Sequence, residues 1–169
     1  FLNGLVHIGL RNFAAGRAGD PPSISLAARL KELKLPQGRL KTGTPPRLDG
    51  STIDYSLLPV EPSDNDPMFL SFTSHATSGG DDRRLTVCHK TRTTFATHEI
   101  VRRAISDGLL PELDSNNGPR YCPSLEAKIA RFGDRDGHVV WLEPEGLDTD
   151  VVYPAGISTS LPRRIQEQI

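Results

Sequence analysis

Cys122 stands in the run GPRYCPS, two residues after Arg120 and two before Ser124. A serine that opens a helix leaves free amide groups facing the residues before it. Those amides, with Arg120, favour the thiolate form of Cys122. The chemistry on offer is that of a low-pKa nucleophile or redox thiol; the alternative is a small buried hydrophobe. Cys88 ends the apolar run LTVC and reads more simply as a hydrophobe.

Three other groups of residues carry chemistry. GRAGDPP (16–22) offers glycines for close backbone approach, Arg17 for charge, and a following helix start for an anion. No GxGxxG stands in the chain, so the complete dinucleotide fingerprint is lacking. RLKTGTPPR (39–47) gathers Arg39, Lys41 and Arg47. On a strand, Arg39 and Lys41 project to one side. With Arg47 they suit phosphates of a nucleic acid or cofactor, or form a solvated basic edge. Arg102, Arg103, Lys128, Arg131, Arg163 and Arg164 can extend such a patch. Glu143, Glu145 and Asp148 follow a strand and suit proton transfer, ligand placement or a plain acidic turn. His7, His75, His89, His98 and His138 lack zinc-site spacing, so no metal site is expected.

The elements that must position these groups can be read along the chain. An apolar run, Leu5 to Leu10, predicts a strand leaving into the Gly16–Gly19 turn. Ser23 is placed to cap a helix whose stripe is Leu26, Ala27, Leu30 and Leu33, ended by Pro36 and Gly38. Residues 39–50 read as a short strand entering a turn, 59–84 as a polar surface insertion, and 85–88 as a strand. Helices are predicted over 95–106 and 125–132, the second capped by Ser124. HVVWLEPE (138–145) is the clearest strand and is expected to be buried on both faces. The segment after it reads as loop, and RRIQEQI as the start of a helix. Interleaved helices and strands give an α/β or α+β class.

At 169 residues the chain has room for one domain, or one domain and part of another. Twenty basic residues against 21 acidic ones exclude a globally basic nucleic-acid binder but leave room for a local patch. Gly (15) and Pro (14) make the chain rich in loops, where function concentrates. No apolar run reaches the ~20 residues of a membrane span, so no membrane is expected as a partner. Two cysteines are too few for a disulfide framework. The chain begins at Phe1, its sole Met is Met68, and an internal fragment of a longer protein is the expectation.

FLNGLVHIG, GRAGDPPS, GRLKTGTPPRLDG, GPRYCPSLEAKIARF, LEPEGLDT and YPAGISTSLP, in this order, resemble the GidA/MnmG family of flavoproteins that modify the wobble uridine of certain tRNAs. The resemblance implies a partial FAD/NAD(P)-binding, glutathione-reductase-like domain with an inserted α+β domain. Residues 1–38 and 151–169 would belong to the first and 39–150 to the second. It implies FAD, NADH as reductant, methylenetetrahydrofolate as one-carbon donor, tRNA as substrate, a GTPase partner of the MnmE type, and a homodimer when full-length. Ser23 matches the family's FAD-contacting serine. Gly118, Pro119, Arg120, Tyr121, Cys122, Pro123, Ser124, Lys128 and Phe132 fall in the segment that matches its nicotinamide-nucleotide site. Cys122 matches its functionally important cysteine, and Cys88 its other common one. A thiolate at Cys122 can attack C6 of uridine and so activate C5, or assist the flavin or the one-carbon intermediate; the residues leave this open. The family's amino-terminal glycine fingerprint and its carboxy-terminal region are missing, so this stretch alone should hold FAD poorly. A mitochondrial location is expected for a eukaryotic source and a cytoplasmic one for a bacterial source. A generic flavin oxidoreductase acting on a small molecule, or a catalytically dead truncated product, is the alternative reading.

Overall fold

The structure is a computed structural model in which residues 1–17, 19–64, 84–110 and 123–169 are described. Gly118, Pro119, Arg120, Tyr121 and Cys122 lie outside the described residues, as does most of the expected 59–84 insertion. The chain divides into two compact units. The first comprises residues 1–44, 93–138 and 157–169, and the second 45–92 and 139–156. The helical stretch 93–138 thus groups with the amino-terminal residues and not with the sheet. The expected 39–150 block follows fold-family domains and these units follow compactness, so the two sets of bounds differ.

The first unit opens with a hairpin, β1 (Leu5–Ile8) paired antiparallel with β2 (Arg11–Ala14). The single strand expected over 5–10 is therefore two strands folded at Gly9. Gly9 has φ +58°, and a Cβ there would lie 2.8 Å from the Pro162 ring, so the tight turn requires glycine. Helix α1 (Ile24–Glu32) follows. Its expected stripe is covered only in part among the described residues: Ala27 is buried and Leu30 half-buried, whereas Leu26 and Leu33 are more than half exposed.

Helix α2 (Phe95–Ser106) starts at Thr94, whose hydroxyl accepts the Thr97 amide at 3.3 Å. It stops at Gly108, φ +67°, where the Gly108 and Leu109 amides donate back to the Ile105 and Ala104 carbonyls. That is a Schellman closure at the expected Asp107-Gly108 stop. Helix α3 (Leu125–Arg131) is capped by Ser124, whose hydroxyl accepts the Ala127 amide at 3.2 Å, as expected. The carboxy-terminal helix α4 (Arg163–Gln166) also forms. Val101 and Ala104 of α2, Leu125 and Ile129 of α3, and Leu161 form the buried core, flanked by Leu109, Leu110, Ile157, Ile165 and Ile169. The i, i+3 and i, i+4 spacings on the two helices are what place these side chains on facing stripes.

The second unit is a five-stranded sheet. Its strands are β3 (Leu48–Asp49), β4 (Val60–Glu61), β5 (Cys88–Arg92), β6 (Val139–Pro144) and β7 (Val151–Ala155), in the order β3-β7-β6-β5-β4. Every neighbouring pair is antiparallel. The burial expected on both faces of β6 is corrected to one. Val140 and Leu142 are buried beside Val152, while Trp141 and Glu143 on the other face are half-buried. An antiparallel sheet tolerates this because no crossover helix has to cover its second face. The loop expected after β6 contains β7, which returns through a short turn as the partner hairpin strand. The strand expected over 39–50 shrinks to Leu48–Asp49. Pro45 and Pro46 have no amide hydrogen for a ladder, which keeps the stretch before them irregular. The expected 85–88 strand begins only at Cys88.

Candidate functional site

In the first unit, the described part of the candidate site is the start of α3 and the irregular segment 158–161 that receives it. The Leu125 amide donates to the Ser158 carbonyl at 2.7 Å. Glu126, 4% exposed, places Oε1 to accept the Thr159 hydroxyl at 2.5 Å and the Ser160 amide at 3.0 Å. Its Oε2 is buried and has no hydrogen-bond partner among the described residues. A buried carboxylate with two donors on one oxygen fixes the segment 158–161 against α3. Ser124, Lys128 and Phe132 lie on or beside α3, the first as its cap. Phe132 takes the Arg135 guanidinium over its ring at 4.8 Å. Pro123 leads into the cap. Sequence reading passed over Glu126, although Leu125 and Ile129, one turn apart, mark the buried face on whose edge it falls.

Also in the first unit, the loop before α1 is tightly folded. A Cβ on Gly16 would lie 2.7 Å from the Pro21 carbonyl oxygen, and Gly19 has φ +82°. Ser23 occupies the N-cap position, but the expected capping bond is absent. Its hydroxyl makes no bond to the helix, while its backbone is held by Phe1 and Asn3. The exposed Ser23 hydroxyl is left without a helix partner next to the first amides of α1, donors of the kind that suit a phosphate of a dinucleotide. Arg39 donates to the Asn3 carbonyl at 3.2 Å, and Lys41 is exposed. With no strand over 39–44, the alternation that would project Arg39 and Lys41 to one side does not apply.

A third cluster in this unit was not foreseen. The Thr93 hydroxyl oxygen accepts the His138 amide at 2.8 Å and lies 2.8 Å from His98 Nε2. The His98 and His138 rings sit 5.2 Å apart, tilted by 30°. The His138 amide takes one lone pair of the Thr93 oxygen, and the direction of the Thr93–His98 bond follows the His98 tautomer. Burial, with the Arg102 charge second, holds His98 below the usual histidine range; Glu99 opposes this weakly.

In the second unit, Arg47 pairs with Glu145, donates to the Pro45 carbonyl at 2.9 Å and lies 4.3 Å over the Tyr153 ring. Lys90 pairs with Glu61 at 3.8 Å and approaches the Trp141 ring at 5.0 Å. Asp148 pairs with Arg84 at 2.5 Å. Cys88 on β5 has its thiol pushed up by burial and then by Glu143, the reverse of an activated nucleophile. Arg39 and Lys41 thus belong to one unit and Arg47 to the other. Among the described residues no three His, Cys, Asp or Glu side chains gather as a metal site, and no helix is long and apolar enough to cross a membrane.

A family model described as glucose inhibited division protein A matches residues 1–169. Two solved structures of Aquifex aeolicus GidA are similar to the chain. The form II crystal is 42% identical with a TM-score of 0.78, over 98% of this chain and 26% of that one. The form I crystal is 44% identical with a TM-score of 0.78, over 98% of this chain and 28% of that one. The chain therefore spans about a quarter of the length of the structures it matches.

Proposed function

The chain belongs to the GidA family, and on that premise we propose that it is part of a FAD-dependent enzyme that modifies the wobble uridine of tRNA at C5. The family match across residues 1–169 carries this reading. Ser23, whose hydroxyl makes no capping bond, and the first amides of α1 would hold a phosphate of FAD. When bound, FAD supplies hydride-transfer chemistry, with NADH as the proposed reductant and methylenetetrahydrofolate as the one-carbon donor. The run Gly118–Phe132 is the proposed nicotinamide-nucleotide segment, and Cys122 within it the reactive thiol. Glu126 holds α3, which begins three residues after Cys122, to the Thr159–Ser160 backbone. Arg39, Lys41 and Arg47 are the proposed phosphate contacts, the last already engaged by Glu145 and Tyr153. The proposed company is tRNA, an MnmE-type GTPase and a second copy of the full-length protein.

The test is Cys122→Ser in the full-length protein. The expected outcome is loss of wobble-uridine modification with the flavin absorbance unchanged. Normal levels of modified uridine in that variant would remove Cys122 from the chemistry.

A further inference from the structure

The chain's charge is divided sharply although its total is near zero. Residues 1–44 hold seven Lys or Arg against two Asp or Glu, whereas 45–92 and 139–156 together hold five against eleven. The cations of the two stretches also differ in what they touch. In the acidic unit, Arg47, Arg84 and Lys90 each pair with a carboxylate. Along 31–41, Lys31, Lys34 and Lys41 are exposed without an acidic partner among the described residues, and Arg39 meets only the Asn3 carbonyl. Glu32, the sole acid in 29–41, is taken by Arg29 at 2.7 Å.

One of these cations sits where a lysine is sterically disfavoured. Lys34 directly follows the C-cap of α1 with φ +53°, the left-handed conformation that glycine adopts without strain at helix ends. That conformation ends the helix, and a lysine there carries a strain that glycine would not. The basic stretch begins at the opposite end of α1 from Ser23, about 13 Å along a nine-residue helix.

We propose that Lys31, Lys34, Arg39 and Lys41 form a phosphate-contacting strip on which the tRNA backbone docks, running from the carboxy-terminal end of α1 to Arg39 at the Asn3 carbonyl. The strip rests on the tRNA reading above and extends it to Lys31 of α1 and Lys34 just after its C-cap. Unpaired, exposed cations bind a polyanion by releasing its counterions, so affinity falls with salt in proportion to the phosphates engaged.

The test measures tRNA binding by the full-length, flavin-loaded protein across a salt series. Replacing all four cations with Gln should weaken binding and flatten the slope of log Kd against log salt by about 3. Arg84→Gln, in the acidic unit, should leave the slope unchanged. Lys34→Gly separates charge from structure: it should raise the melting temperature while it weakens tRNA binding. If wild-type protein shows no salt-dependent tRNA binding, the tRNA reading and the strip both fall. If wild type binds but the fourfold variant keeps its slope, the strip falls and the tRNA reading stands. If Arg84→Gln flattens the slope as much as the fourfold variant does, the effect is one of overall charge, and the strip is overturned.

Discussion

Two buried residues carry polar chemistry that the surrounding core constrains. His98 is 1% exposed, and burial lowers its pKa in the folded state below its unfolded value of about 6.5. The neutral ring's contribution to stability is therefore complete above that value and is lost as pH falls below it. An NMR titration should give His98 a midpoint under 6.5; a midpoint at or above it would remove the burial argument. Glu126 makes the opposite point, because its carboxylate is an acceptor that two donors share. Glu126→Ala leaves the Thr159 hydroxyl and the Ser160 amide without their acceptor and should cost roughly 2–3 kcal/mol in urea unfolding. Glu126→Gln keeps an acceptor oxygen and should cost clearly less. Equal losses would mean that the carboxylate's charge, and not an acceptor oxygen as such, carries the effect. Neither residue was legible as a site in the sequence. A histidine or glutamate inside a helical pattern looks the same whether it faces solvent or core, until the partner segments Thr93, His138 and Thr159 are placed. Cys122, by contrast, was singled out from Arg120 and Ser124 alone, and the Ser124 cap on which that argument leans is formed.

At the scale of elements, what local chemistry dictates was readable. Ser124 and the Asp107-Gly108 stop set the start of α3 and the end of α2, because caps act within one turn. What depends on distant partners was not. β7 was hidden because VVYPA carries a proline, and its strand character comes from pairing with β6. The 39–47 stretch promised a strand by alternation, but Pro45 and Pro46 deny it a ladder. The leucine stripe of α1 was correctly helical yet is covered only in part among the described residues. Two helix ends make a paired test. Gly108 is already left-handed, so Gly108→Ala should destabilise by about 1 kcal/mol, while Lys34→Gly should stabilise by about 0.5–1 kcal/mol. Chemical denaturation of both variants reads the signs directly, and two losses of stability would refute the assignment of strain at Lys34.

For the molecule as a whole, near-neutral charge concealed a basic amino-terminal stretch and an acidic sheet unit. Composition excluded a globally basic binder, and the fold shows why that was only half of the matter: Arg47, Arg84 and Lys90 of the sheet unit pair with carboxylates of their own unit. Family membership was legible because six sequence blocks stand in order; the chain spans about a quarter of its structural relatives. The central claim is a flavin-dependent change to tRNA rather than to a small molecule. The most direct measurement is nucleoside mass analysis of unmodified tRNA after incubation with the full-length protein, the proposed GTPase partner, FAD, NADH and the proposed one-carbon donor. The account predicts a mass increase confined to the wobble uridine that disappears when flavin is omitted. NADH oxidation with the tRNA mass unchanged would contradict it and leave an oxidoreductase of another kind.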